Sequence, residues 1–241
     1  MIGRLAWMEW RRLMRTSLAW IVLALGLCLL SWQFLGTLEA FVGMHGGDRN
    51  LGLSHHLGLQ LFGLAAVVIL MVIPILTMRA FSEPFRSGAY TLLSSAPISV
   101  SGILLGKFLS ILLFLLPIIL MPTALSLSLA IGTTLDMGLI AAATLGLLLL
   151  GALFTAAGLY LSVLSENPAV AAAGGYGLLL LLSLLDQHTR SDGFLHWLGW
   201  PSHYLNLQLG LVNSSDVAYF LLLMLFFLGL ALHRLDKRRV G

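Results

Sequence analysis

The chain has 241 residues, 59% of them hydrophobic and only 10% charged, with 13 Lys+Arg against 10 Asp+Glu for a formal net charge of +3. Soluble domains carry about 25% charged residues, so this composition excludes a soluble protein and leaves no stretch for a soluble catalytic domain. The basic excess does not argue for nucleic acid, because the Lys and Arg residues flank apolar stretches where they set orientation in a membrane.

Residues 1–15 read as a separate element. At about 100° per residue, Arg4, Arg11 and Arg15 share one stripe and Ile2, Ala6, Trp10 and Leu13 the opposite one. That pattern fits an amphipathic helix lying in the membrane interface; a plain extension of the first span fits it too. The apolar run that follows is long and lacks a small-x-small cleavage site, so it is read as retained rather than as a signal peptide. The single Cys28 lies within that run, which permits no disulfide inside the chain.

A helix needs about 20 mostly apolar residues to span the hydrocarbon. Six stretches qualify: 16–36, 59–78, 101–131, 138–164, 169–185 and 216–234. Each is apolar all round, which excludes the alternation of transmembrane β-strands. Pro117 and Pro122 predict a kink in the third span, or its break into two pieces. The connections 37–58 and 186–215 share one side. Trp197, Trp200 and Tyr204 in the second are expected at headgroup level, and this connection has room for a short re-entrant or surface helix. Eleven basic residues (Arg4, Arg11, Arg12, Arg15, Arg79, Arg86, Lys107, Arg234, Lys237, Arg238 and Arg239) fall on one side, and only Arg49 and Arg190 on the other. The positive-inside rule then places both termini in the cytoplasm.

Sites for chemistry are sparse. His45, His55, His56, His188, His196 and His203 lie on the outer side without ligand spacing, and read as ordinary loop histidines rather than a metal site. Glu39, Asp136, Glu166, Asp186 and Asp216 sit at span ends, so no span carries the central charge that an ion-coupled transporter favours. Gly102-Ile-Leu-Leu-Gly106-Lys107 is one residue short of a phosphate loop and no strand precedes it. No catalytic constellation and no metal site are expected. Energy for any driven process must come from another chain. Ser126, Ser128, Thr144, Thr155 and Ser162 either line a path or bond backbone carbonyls.

The connection from Arg79 to Ser99 is too polar to span and too apolar for a free loop. Phe81, Phe85, Tyr90, Leu92 and Leu93 need burial, Gly88 suits a turn, and Pro97 ends any preceding helix. A short interfacial helix and a docking knob for a partner both satisfy this composition. The segment Glu83-x4-Gly88-x3-Leu92-Leu93-x3-Pro97-Ile98-Ser99, followed by Leu105-Gly106-Lys107-Phe108, resembles the coupling-helix region of ABC-2-type permeases, in particular their gliding-motility (GldF-like) branch. Departures fall at Pro84 and Ala89. The run Ser165-Glu166-Asn167-Pro168-Ala169-Val170-Ala171-Ala172 is similar to a second patch of that branch.

The resemblance implies a single all-α transmembrane domain over 1–241, with six spans, an N-terminal interfacial helix and the ABC-2 (type V exporter-like) permease fold. It implies no enzymatic activity on this chain. ATP and Mg would be held by a cytoplasmic ABC ATPase from another gene, gripping a coupling helix within 80–97. Glu83, Arg86 and Gly88 would lie in its groove, with Phe81, Phe85 and Tyr90 as packing contacts. A second permease subunit, the same or different, would complete the path, and an extracytoplasmic-domain protein can accompany such pairs in the bacterial cytoplasmic membrane. The family pairs through the first and fifth spans. Ala169, Ala173 and Gly177, small residues at spacing four on the fifth span, are therefore the candidate subunit interface, with packing inside one subunit as the other reading. A haem-exporter-type permease of cytochrome c maturation and a non-transporting assembly subunit are the alternatives.

Overall fold

A computed structural model describes residues 2–43, 52–87, 99–131, 135–188 and 197–240. They form eight helices: α1 Ile2–Met14, α2 Ser17–Gly43, α3 Gly52–Arg86, α4 Val100–Ser128, α5 Met137–Leu164, α6 Pro168–His188, α7 Trp200–Gln208 and α8 Ser214–Val240. Six of them, all but α1 and α7, are long and apolar enough to cross a membrane. The described residues contain no strand.

The six spans fall where hydropathy puts them, but α2, α3, α6 and α8 run several residues longer. α2 runs on to Gly43 and α3 starts at Gly52, so most of the predicted 37–58 loop is helix. Thr37 and Gln60 hydrogen-bond there (3.2 Å), and Phe41 packs on His56. Helix–helix contact rather than lipid holds these less apolar turns. At its other end α3 continues to Arg86, so residues 79–86 belong to the span's own helix and not to a loop. α8 likewise extends to Val240. α4 passes Pro117 and Pro122 without breaking and ends in a single 3₁₀ turn, Leu129–Ile131. Membrane helices tolerate proline when neighbouring helices and hydroxyl side chains satisfy the freed backbone groups.

Helix starts follow the side chains before them. The Ser99 hydroxyl accepts from the Gly102 N–H (3.2 Å) and the Asp136 carboxylate from Leu139 N–H (3.1 Å), capping α4 and α5. The Asn167 side chain accepts from Ala169 N–H (3.0 Å) and Pro168 takes the first helical position, so the Ser-Glu-Asn-Pro run is a turn feeding a capped α6. The serines and threonines inside the spans mostly bond backward: Ser126 to Pro122, Ser128 to Leu125, Thr144 to Ile140 and Thr155 to Gly151 carbonyls. Four of the five hydroxyls singled out in the sequence thus bond a carbonyl of their own helix, and Ser162 bonds the Met78 carbonyl of α3.

α3, α4 and α5 form the centre, with 67%, 61% and 56% of their apolar windows buried, whereas α2, α6 and α8 reach 28%, 22% and 33%. α2 packs on α3 and α4, and α6 on α3 and α5, so these two helices flank α3 on different sides. α1 packs along α4, with Leu5, Trp10, Leu13 and Met14 against the core. Gly106 makes this approach possible, because a Cβ there would meet the Leu5 side chain at 2.6 Å.

Candidate functional site

The end of the bundle that carries both termini is built around the last two turns of α3. Pro84 sits inside the helix and supplies no N–H, which loosens the turn before it. Ser162 of α5 enters at this turn: its hydroxyl accepts from the N–H groups of Phe81 (3.0 Å) and Ser82 (3.3 Å) and donates to the Met78 carbonyl (3.2 Å). The Ser82 hydroxyl in turn donates to the Ser162 carbonyl (3.1 Å). These bonds fix the end of α3 to the end of α5.

Two cations cover the aromatic residues here. The Lys107 ammonium stands 5.5 Å from the Phe81 ring centroid, and the Arg238 guanidinium 4.4 Å from that of Phe85. The two rings stack with centroids 6.1 Å apart. Lys107 is buried, and it donates to Glu9 of α1 at 2.9 Å. Arg238 also reaches Glu166 in the turn before α6, at 3.3 Å. Helices α1, α3, α4, α5 and α8 therefore meet at one point through ion pairs, ring stacking and the Ser162 bonds.

The sequence candidates divide on this geometry. Glu83 and Arg86 are exposed and Phe85 is half-buried. Phe81 is 1% exposed, so its expected place as a packing contact for a partner is corrected: the helix continues through 86 and turns residue 81 inward onto α4 and α5. Gly88 and Tyr90, with Leu92, Leu93 and Pro97, lie outside the described residues. Ala169, Ala173 and Gly177 are all exposed on α6, and a Cβ at Gly177 would meet nothing within 4 Å. Of the adjoining glycines, Gly175 faces inward, where a Cβ would lie 3.2 Å from Pro74 of α3.

The opposite end holds a cluster that sequence reasoning missed. Asp216 Oδ1 lies 2.7 Å from His203 Nδ1, while Asp216 Oδ2 accepts from the Asn206 amide (3.0 Å) and the Asn213 amide (3.3 Å). His203 Nε2 faces the Trp197 carbonyl at 3.0 Å. The imidazole thus stands between two oxygens, a carboxylate on one side and a backbone carbonyl on the other. Tyr219 stacks on His203 at 4.1 Å and donates to the Leu198 carbonyl at 2.7 Å. Both His203 and Asp216 are buried, so His203 is a packing and bonding residue rather than an ordinary loop histidine. Trp200 and Tyr204, expected at headgroup level, are buried as well, because α7 folds back against α5, α6 and α8. The Tyr204 hydroxyl donates to the Phe62 carbonyl at 2.9 Å, and burial raises its pKa above the usual tyrosine range. Among the described residues, no three His, Cys, Asp or Glu side chains come together as metal ligands.

Residues 4–240 match a family described as ABC-2 family transporter protein. No curated protein matches the chain.

Proposed function

The chain belongs to the ABC-2 transporter family, a permease component of an ABC transporter, and from that premise we propose that the end of α3 is where a separate ATPase drives it. The observation that carries this reading is the family match over residues 4–240 together with the placement of Glu83, Phe85 and Arg86. They stand at the end of a buried span and within the segment 80–97 that resembles a coupling-helix region. The ATPase would hold that segment, with Glu83 and Arg86 as polar contacts and Phe85 as an apolar one. The helical run from Gly52 to Arg86, with one π-helical turn at Leu57–Leu61, joins this contact to the bundle core in a single element. The Ser162 bonds hold its last turns against α5, as rigid-body switching requires. ATP and Mg belong to the ATPase in this reading, and this chain performs no hydrolysis.

We further propose that a second permease subunit pairs through α2 and α6. Both helices are poorly buried within one chain, and Ala169, Ala173 and Gly177 offer a flat surface for close helix contact. Both termini face the cytoplasm, in line with the distribution of basic residues. The gliding-motility branch rests on the motifs around Gly106-Lys107-Phe108 and Ser165–Ala172, and the family match does not single it out.

Co-purification tests the coupling. The chain expressed with an ABC ATPase subunit from the same genome is expected to form a complex and to stimulate ATP turnover in liposomes. Glu83→Lys is expected to abolish both while leaving the permease monodisperse in detergent. Undiminished complex formation and turnover in Glu83→Lys and in a variant lacking residues 88–95 would overturn this site.

A further inference from the structure

At the termini end, a cleft of about 230 Å³ opens between α1, α3 and α4. Its charged lining is Glu9, Arg12, Arg79, Glu83 and Lys107. Glu9 and Lys107 satisfy one another at 2.9 Å. Among the described residues, neither Arg12 nor Arg79 has an ion-pair partner. Three cations and two carboxylates leave the cleft with one unit of positive charge. The inner wall is apolar, from Leu76 and Ile111, and the Ser110 hydroxyl is already committed to the Lys107 carbonyl (2.7 Å).

Two exposed tryptophans mark the depth of this cleft. Trp7 on α1 is 52% exposed and Trp20, at the start of α2, is 61% exposed. The Trp20 indole donates to the Met14 carbonyl at 2.9 Å, tying it to the same turn that borders the cleft. Exposed tryptophan on a membrane protein favours the headgroup layer. A basic cleft between helices at that level meets lipid phosphates first, and guanidinium groups match phosphate oxygens in a paired, planar geometry that ammonium groups lack.

We propose that this cleft binds the phosphodiester headgroup of a monoanionic phospholipid, held by Arg12 from α1 and Arg79 from α3. The single surplus charge suits a phosphodiester with one negative charge. A zwitterionic headgroup brings no net charge and leaves that surplus uncompensated. The bound phosphate joins the amphipathic α1 to the end of α3 opposite the Lys107–Glu9 pair, so the lipid completes the seat of α1 on the bundle. Leu76 and Ile111 receive the first methylenes of the glyceride. Neither arginine is among the coupling residues, and Glu83 is the one group that the cleft and the proposed coupling contact share.

The test uses the purified full chain in detergent, titrated with phosphatidylglycerol, phosphatidylcholine or phosphatidylethanolamine, and separately with inorganic phosphate and glycerol 3-phosphate. Native mass spectrometry counts retained lipid, and thermal unfolding follows stability. Phosphatidylglycerol is expected to stay bound and to raise the unfolding midpoint, while the zwitterionic lipids do neither. In Arg12→Gln/Arg79→Gln, the adduct and the phosphatidylglycerol shift disappear, with the midpoint in phosphatidylcholine unchanged. Equal retention of all three lipids by the unaltered chain overturns the proposal, a readout that needs no variant to fold. Undiminished phosphatidylglycerol retention in the double variant also overturns it. A shift reproduced in full by inorganic phosphate or glycerol 3-phosphate assigns the cleft to a soluble phosphate and overturns the lipid source.

Discussion

The two ends of the bundle solve the same problem, polar groups at a membrane boundary, in opposite ways. At the His203–Asp216 end, one buried carboxylate accepts from two amides and meets an imidazole, and that imidazole is itself stacked and bonded on its other side. The cluster is closed. At the termini end, charges occur in separate pairs on different helices, Lys107 with Glu9 and Arg238 with Glu166, and Glu83, Arg86, Arg12 and Arg79 remain exposed. A closed network holds one geometry, because each member is costly to leave unpaired. Separate pairs, one of them solvated, permit rearrangement and leave surface for a partner. That contrast is what a permease needs if one end is worked from outside the membrane while the other keeps α7 locked between α5, α6 and α8.

Removing the carboxylate should therefore break the first end outright. Asp216→Leu strands the buried His203 and removes the acceptor of the Asn206 and Asn213 amides, and a cost of about 3–5 kcal/mol is expected, as for a buried pair that loses one partner. Denaturant unfolding in mild detergent measures it. Asp216→Asn keeps the shape and should cost less, which separates lost bonds from lost packing. Glu9→Gln is the matching change at the termini end: it leaves the buried Lys107 ammonium without a counter-charge. Glu9 keeps 24% of its side-chain surface in solvent, so water can partly replace it and the expected cost is lower, about 2 kcal/mol. Limited proteolysis should show α1 released before the spans unfold.

Ser162→Ala comes next. It takes the shared acceptor from the Phe81 and Ser82 N–H groups, which are buried. A loss of about 1–2 kcal/mol is expected, with faster amide hydrogen exchange confined to residues 78–86. Exchange that stays unchanged there would mean the end of α3 holds itself, and that α5 contributes only packing.

How much of this was legible beforehand follows from what hydropathy measures. It reports which residues tolerate lipid, so the spans stood out. It does not report packing, so the turns at 37–43 and 52–58, held by neighbouring helices, fall in an expected loop, and 79–86 falls in a connection of its own rather than in the span. The coupling-region motif was legible as a pattern, and the described part of it has local causes: Ser99 caps α4, Gly106 admits Leu5, and Lys107 pairs with Glu9. The small residues of α6 were legible, but that Ala169, Ala173 and Gly177 face outward while Gly175 faces α3 depends on how the helix is turned in the bundle. The His203–Asp216 cluster had no local signal. Its two central members stand 13 residues apart on different helices, and only the fold-back of α7 brings them together.

Arg238 provides the smallest expected effect and the sharpest comparison. Its guanidinium stacks on Phe85 and pairs with Glu166, but 36% of its side chain and 67% of that of Glu166 are exposed. Solvent-exposed pairs contribute about 0–1 kcal/mol, and an exposed cation over a ring about 0.5–1 kcal/mol. Arg238→Gln is thus expected to lower stability by less than about 1 kcal/mol. Salt separates the two contributions: screening weakens the pair with Glu166, so Glu166→Gln should lose its effect at high ionic strength while Phe85→Leu keeps its own. If Arg238→Gln instead costs as much as Asp216→Leu, the termini end is as closed as the other. A partner would then have to pry α3, α8 and the turn before α6 apart before it could grip Phe85.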